Sequence, residues 1–362
     1  MGQRHAAMED VVSSPSRDFW EGRRVLLTGH TGFKGAWMAI WLDRLGAQVT
    51  GYALAPEGDP NLWSQIGDRL LVREVIGDLS DREALRALIA DLRPSIVIHM
   101  AAQSLVRRSY AQPVETFSAN LMGTVHLLDA LRDEPALEAA LMVTTDKVYA
   151  NLDEGRDFVE EDPLGGNDPY SASKAAAEIA TKSYALSFFR QVPVATARAG
   201  NVIGGGDWSE DRLIPDVWRA IRQSKPLVLR HPEATRPWQH VVDALSGYLL
   251  YLEALATKSE VPRALNFGPL PGQSATVGEV AEITARALGT DRGWIRDEEA
   301  GPRETKLLSL DPSKAMNVLS WHPRLHCYDA VGWTAEWYSR HQKGDDPLAL
   351  CRNQIAHYEA LS

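Results

Sequence analysis

The first well-patterned part of the chain is a short apolar run, "RRVLLTG", followed by "GAWMAIWLDRLG", where apolar residues recur at helical spacing, and then by a second run, "AQVTGYAL". The alternation continues through the helical "DREALRALIADLRP" and the apolar "SIVIHMAA", and a later run ends at Leu141 to Val143. Apolar runs of this length bounded by turn residues predict buried strands. The stretches between them predict helices, the first ending at Gly46. Strand and helix in alternation make βαβ units, so the expected fold class is α/β, with a Rossmann-type doubly wound parallel sheet. From about Pro193 the pattern changes: Gly, Pro and Trp crowd into "GNVIGGGDW", "RPWQH" and "NFGPLPG", and the elements shorten. The expected division is a flexible leader over 1–17, a first domain over 18–192 and a smaller C-terminal lobe over 193–362 that returns strands to the first domain.

Composition narrows the function classes. A chain of 362 residues with 44% hydrophobic content can bury one large core or two modest ones. A net charge of -10 provides no basic stripe for a phosphate backbone, which argues against a nucleic-acid partner. The two cysteines, Cys327 and Cys351, form no CxxC pair and no Cys/His metal spacing, so no metal site is expected and a reduced cytoplasm is the default compartment. No run approaches the roughly 18 apolar residues of a membrane span, and no membrane partner is expected.

The turn "TGHTGFKG" links the first strand to the first helix. Gly29 permits the tight turn, Gly32 lets backbone approach a pyrophosphate at the helix N-terminus, and Gly35 allows close helix-to-sheet contact. His30, Phe33 and Lys34 stand inside this turn, and His30 and Lys34 could reach phosphate. The GxxGxxG spacing resembles the extended short-chain dehydrogenase/reductase superfamily. One feature is missing: the second strand ends in Tyr52 and Ala53, where many NAD folds carry an acid for the adenosine ribose, and Glu57 and Asp59 lie only in the following loop. Loose NAD retention or tolerance of NADP follows as an expectation.

"DPYSASK" carries the chemistry. Asp168 and Pro169 read as N-cap and N1, which puts Tyr170 and Lys174 at i and i+4 on one helix face. A lysine beside a phenol favours phenolate, and an oxidised nicotinamide would add to that, so Tyr170 becomes a usable base. Upstream, the strand ending at Val143 opens into "TTDKVY", whose Thr145 would bond the hydroxyl that Tyr170 deprotonates.

The segments "GHTGFKGAW", "HMAAQSLVRRSY", "NLMGTVHLL", "TTDKVY", "DPYSASK", "RAGNVIGGGDW", "DRLIPD", "RPWQHV" and "NFGP" together resemble the CDP-glucose 4,6-dehydratase family. The resemblance implies an NAD-dependent lyase that oxidises C4 of CDP-glucose, eliminates water across C5 and C6, and returns the hydride to C6. It implies that Asp146 is the acid and Lys147 the base of elimination; a surface turn is the bland alternative for that pair. It further implies Asp78, Leu79, Ala101, Ala102 and Gln103 at the cofactor, with Asp78 equally readable as a turn cap. Asn201 and Arg236 are implied at the diphosphate, with Arg212, Arg230 and Arg303 as additional substrate contacts; Arg107 and Arg108 either hold nucleotide or are solvated. Members often carry serine and cysteine where Thr145 and Val148 stand here. A homodimer or dimer of dimers is implied through the helices bearing the Tyr170/Lys174 pair and "NLMGTVHLL".

Three other readings stay open on sequence. An epimerase would use Tyr170 and Lys174 but has no need of Asp146 and Lys147. A dehydratase acting on a dTDP- or GDP-sugar would typically carry an acid in place of Lys147. A nucleotide-sensing module without catalysis is disfavoured by the intact Thr145, Tyr170 and Lys174.

Overall fold

Seven parallel strands form the central sheet of the computed structural model, which describes residues 13–151, 155–291, 293–297 and 308–361. They are β1 (Arg24–Thr28), β2 (Gln48–Ala53), β3 (Val72–Ile76), β4 (Ile96–His99), β5 (Ala139–Val143), β6 (Val194–Ala199) and β7 (Ala264–Phe267). Their spatial order is β7-β6-β5-β4-β1-β2-β3. Val25, Leu26 and Leu27 are fully buried, as are the residues of β5, because helices cover both faces of a parallel sheet. The order reverses between β1 and β4, and at such a switch point a crevice opens beyond the strand C-termini. In register, Thr28 lies opposite Tyr52 and His99, and Val143 opposite Ala197. Strands β6 and β7, both from beyond residue 192, complete the sheet.

The helices that frame the crevice are α1 (Phe33–Arg44), α2 (Val106–Ala111), α3 (Gly123–Leu131), α4 (Pro169–Ser187), α5 (Leu213–Arg222) and α6 (Val241–Thr257). Helix α1 is buried along Gly35 to Leu42, more than one amphipathic stripe requires. The cause lies in the last helix, Pro347–Glu359: Glu359 accepts from Trp41 Nε1 at 3.0 Å and pairs with Arg44 at 2.7 Å. The C-terminal tail, uninformative as sequence, therefore packs over α1 of the first half.

Of the expected leader, residues 1–12 lie outside the described residues. Residues 13–17 are not loose: Ser13 N donates to Ser320 O at 3.1 Å and Ser16 N to Glu253 Oε1 at 2.7 Å, and Trp20 follows fully buried. Among the described residues no helix is long and apolar enough to cross a membrane.

Candidate active site

The glycine turn has the geometry its spacing predicts. Gly29 takes a left-handed φ of 78°, and a Cβ there would come 2.6 Å from Ala101 N, so only glycine lets the β1 and β4 ends approach this closely. A Cβ on Gly35 would come 2.7 Å from Gly29 C. Gly32 is exposed at the N-cap of α1, which has no side-chain cap. The first-turn amides of α1 have no intrahelical partner one turn back, the arrangement that suits a diphosphate.

His30 does not reach outward with them. Its ring is fully buried, 4.7 Å from Trp63 in an edge contact, and Gly51 leaves it room: a Cβ on Gly51 would lie 2.5 Å from His30 Cγ. Nε2 faces Glu74 at 3.4 Å, and burial lowers the ring's pKa. His30 can offer a phosphate its backbone only. Phe33 packs toward Gly204 of the second half, and Lys34 sends its ammonium inward, where burial and Arg212 bring it down to about 8 while Asp146 and Asp207 pull upward.

At the end of β2, Tyr52 is buried and donates its hydroxyl to Asp78 O at 2.8 Å. The Asp78 carboxylate accepts from Ser80 N at 2.8 Å, which is the turn-cap geometry, and Glu57 is held by Arg108 at 2.8 and 2.9 Å. Leu79 sits under α3, with its carbonyl 2.9 Å from His126 Nδ1.

The Ala101, Ala102, Gln103 segment after β4 is fixed by a residue that the sequence does not single out. Asn120, inside "NLMGTVHLL", accepts from Gln103 N at 2.8 Å and donates to Gln103 O at 3.0 Å and to Ser173 Oγ at 2.9 Å. It stands in a π-helical stretch, Ser118–Met122, whose local unwinding turns the amide toward α4. Beneath it, Thr124 gives its proton to Asn120 O at 2.7 Å and so accepts from His99 Nε2 at 3.0 Å, which leaves His99 Nδ1 to accept from Thr28 at 2.7 Å. His99 is thus a neutral fixed tautomer, its pKa brought down to about 3 by burial and then by Lys174.

Asp168 caps α4 by accepting from Ser171 N at 2.9 Å, with Pro169 at N1, and Tyr170 and Lys174 face the β5 end as expected. Lys174 Nζ donates to Val143 O at 2.9 Å. Burial, with Lys34 as a neighbouring cation, brings Lys174 down to about 8, opposed by Glu178. Burial raises the Tyr170 phenol; Arg212 and then the Thr145 hydroxyl hold it back. Arg212 from the second half thus joins Lys174 as a cation close to the phenol.

After Thr145 the chain makes one 3-10 turn, Asp146–Val148. Thr145 Oγ1 donates to Asp146 Oδ1 at 2.8 Å. Asp146 is buried and its pKa is raised by that burial, against the pull of Lys147, Thr145 and Arg236. Lys147 is half-buried beside it. This pair is not a surface turn.

From the second half, Arg212 donates to Ser104 O at 3.2 Å and acts on both Tyr170 and Lys34. Arg236 acts on Asp146. Asn201 adopts φ 43°, and its carbonyl accepts from Gln239 N at 3.2 Å. Arg230 and Arg107 share Asp211, at 3.6 and 3.0 Å. Arg303 lies outside the described residues.

Residues 25–268 match the model of the NAD dependent epimerase/dehydratase family. Over 350 residues the chain is 42% identical to the CDP-glucose 4,6-dehydratase of Salmonella typhimurium, covering 94% of this chain and 98% of that protein. It is 28% identical to a dTDP-glucose 4,6-dehydratase of Streptomyces griseus, covering 90% of this chain and 96% of the relative. Among solved structures, the dTDP-glucose 4,6-dehydratase of Streptomyces venezuelae with NAD bound superimposes with a TM-score of 0.74 at 27% identity, over 90% of this chain and 99% of that one.

Proposed function

The chain belongs to the NAD dependent epimerase/dehydratase family, and from that premise we propose that it is a lyase converting CDP-glucose to CDP-4-keto-6-deoxyglucose. The observation that carries this reading is the buried Asp146 beside Lys147, immediately after Thr145 and facing Tyr170 on α4. An epimerase has no use for a buried acid whose pKa is raised at that point.

The residues fit NAD. Exposed Gly32 and the free amides at the start of α1 suit its diphosphate, and the Asn120-fixed Gln103 loop with Tyr170 and Lys174 borders the place for its nicotinamide. Held there, NAD would supply the hydride acceptor for oxidation at C4 and, once reduced, the hydride donor for C6. Tyr170 removes the C4 hydroxyl proton as the C–H bond is oxidised to the ketone. Lys174, anchored to Val143 O, places a cation near the reaction centre. Thr145 couples this step to the next: its hydroxyl donates to Asp146 when that carboxylate is ionised, and accepts when it is protonated, freeing its own proton for the sugar oxygen. The 4-ketone acidifies C5, from which Lys147 takes a proton while Asp146 gives one to the departing C6 hydroxyl, so water leaves. Lys147 then re-protonates C5.

Arg212 and Arg236, the two guanidinium groups that act on Tyr170 and Asp146, hold the diphosphate, with Asn201 beside them and Arg230 as an additional contact. The working form is a homodimer or dimer of dimers: Ile179 and Leu186, seven residues apart on one side of α4, are 59% and 70% exposed, with Val114 and Met122 exposed nearby. Its two cysteines are free and buried, consistent with work in the cytoplasm.

The test of the reaction type is incubation with CDP-glucose and NAD in deuterated water. A product lighter by one water, carrying solvent deuterium at C5 and formed without net NADH, is the expected result. A product of unchanged mass, or NADH released in step with product, would replace this reading with epimerisation or simple oxidation.

A further inference from the structure

One turn beyond Lys174 on α4 stands Glu178, a buried carboxylate with no part in the steps above. It accepts from Thr144 Oγ1 at 2.6 Å, Thr196 Oγ1 at 2.8 Å, Arg198 Nε at 2.9 Å and Arg198 Nη2 at 2.8 Å. Both of its oxygens are thereby occupied, from the residue just after β5 and from β6. Arg198 Nη1 in turn donates to Tyr149 Oη at 2.7 Å, and Tyr149 gives its own proton to Asn266 Oδ1 at 2.7 Å. The ends of the Thr144 to Tyr149 turn are thus both held from α4: Thr144 directly by Glu178, Tyr149 through Arg198. Thr145, Asp146 and Lys147 lie between the two anchors.

We infer that Glu178 is the positioning residue of the site, fixing the Thr145–Asp146–Lys147 turn against Tyr170 and Lys174. A buried ion pair gains little stability over well-packed apolar side chains, so the Glu178–Arg198 pair is poorly explained as a stabilising device. It is well explained as a registering one, because a misplacement of about 1 Å at a reacting group costs on the order of 10²-fold in rate. The charged and titratable groups on the elements packed around Lys174 and Glu178 are as follows. Lys34 from α1 opposes its charge and Glu178 supports it. His99 from β4 is neutral, Arg198 from β6 remains charged, and burial holds Tyr149 and α6's Tyr251 protonated.

The inference rests on the dehydratase reading, and the experiment separates the two. Wild-type protein is first assayed on CDP-glucose and on dTDP-, UDP- and GDP-glucose, and whichever is turned over is the substrate for the variants. A failed substrate assignment is then visible in the wild type alone. Glu178→Gln is expected to lose on the order of 10²-fold in kcat with KM within about two-fold of wild type, and the alkaline limb of its kcat profile should move down by about one pH unit. Glu178→Asp keeps the charge, so its alkaline limb should stay in place whatever its kcat. A purely structural role would lower the melting temperature of both variants and move neither limb. A folded Glu178→Gln protein with wild-type kcat and an unmoved limb overturns the proposal. Should that variant not fold, Thr144→Val decides, since it cuts one tether and leaves the Glu178–Arg198 pair intact. A kcat loss on the order of 10-fold supports the positioning role, and wild-type kcat refutes it.

Discussion

The carboxylate of Asp146 rests directly against Gly200, at the end of the neighbouring strand, and a Cβ on Gly200 would overlap it. The acid at the end of β5 therefore depends on a missing side chain after β6. Gly200→Ala should push Asp146 off the departing hydroxyl and leave Tyr170, Thr145 and Lys174 in place, so turnover falls on the order of 10²-fold. In a single turnover followed by stopped-flow absorbance, enzyme-bound NADH should accumulate. Tyr170→Phe should form none, because the first hydride step has lost its base. Equal NADH traces for the two variants would dissociate Gly200 from elimination.

Lys174 is brought down to about 8 by burial and then by the neighbouring Lys34. An ammonium is present below its pKa and lost above it, so kcat should decline as pH rises through about 8. Lys34→Met removes the like charge and should move that limb upward by about half a unit to one unit. This is the opposite of the shift expected from Glu178→Gln. A downward or absent shift on pH–rate measurement would show that Lys34 does not face Lys174 in the working enzyme.

Asp146 trades stability for function. Its pKa is raised by burial, so the folded protein binds this proton more tightly than the unfolded chain. Its contribution to stability is full below an unfolded aspartate's pKa of about 3.9 and is lost as pH rises toward the raised folded value. Asp146→Asn should consequently melt higher than wild type at pH 8, and this advantage should vanish near pH 4. Calorimetry across that range checks it; a lower melting temperature at pH 8 would mean that the ionised carboxylate is net stabilising through Lys147 and Arg236.

The end of β2 itself carries no acid for the adenosine ribose: Tyr52 is turned onto Asp78 O, and Glu57 in the following loop is taken by Arg108. Cofactor retention should be weak enough that added NAD stimulates freshly purified enzyme. Protein that purifies saturated and does not respond to NAD titration would locate the ribose grip elsewhere.

How much of this was legible in the sequence depends on how local the cause is. Gly29, Gly35, Asp168 and Pro169 act on their own turn or helix end, and spacing alone places them. The inward turn of His30 was not legible, because it depends on Gly51 of β2 leaving room and on Trp63 beyond it. Asn120 and Glu178 were missed for a similar reason: each bonds to groups far along the chain, and nothing in "NLMGTVHLL" or in the helix after "YSASK" marks the residue whose side chain turns inward. Gly200 was quoted within its motif, but its purpose is visible only when the ends of β5 and β6 lie side by side.

The central claim is that this site dehydrates CDP-glucose in preference to other nucleotide sugars. The most direct measurement is kcat/KM for CDP-, dTDP-, UDP- and GDP-glucose in parallel, with saturating NAD and the 4-keto-6-deoxy product followed by mass. The account predicts the highest value for CDP-glucose, with no net NADH in any productive reaction. Equal or faster dehydration of another nucleotide sugar would contradict the substrate assignment, and no water loss from any of the four would contradict the lyase reading itself.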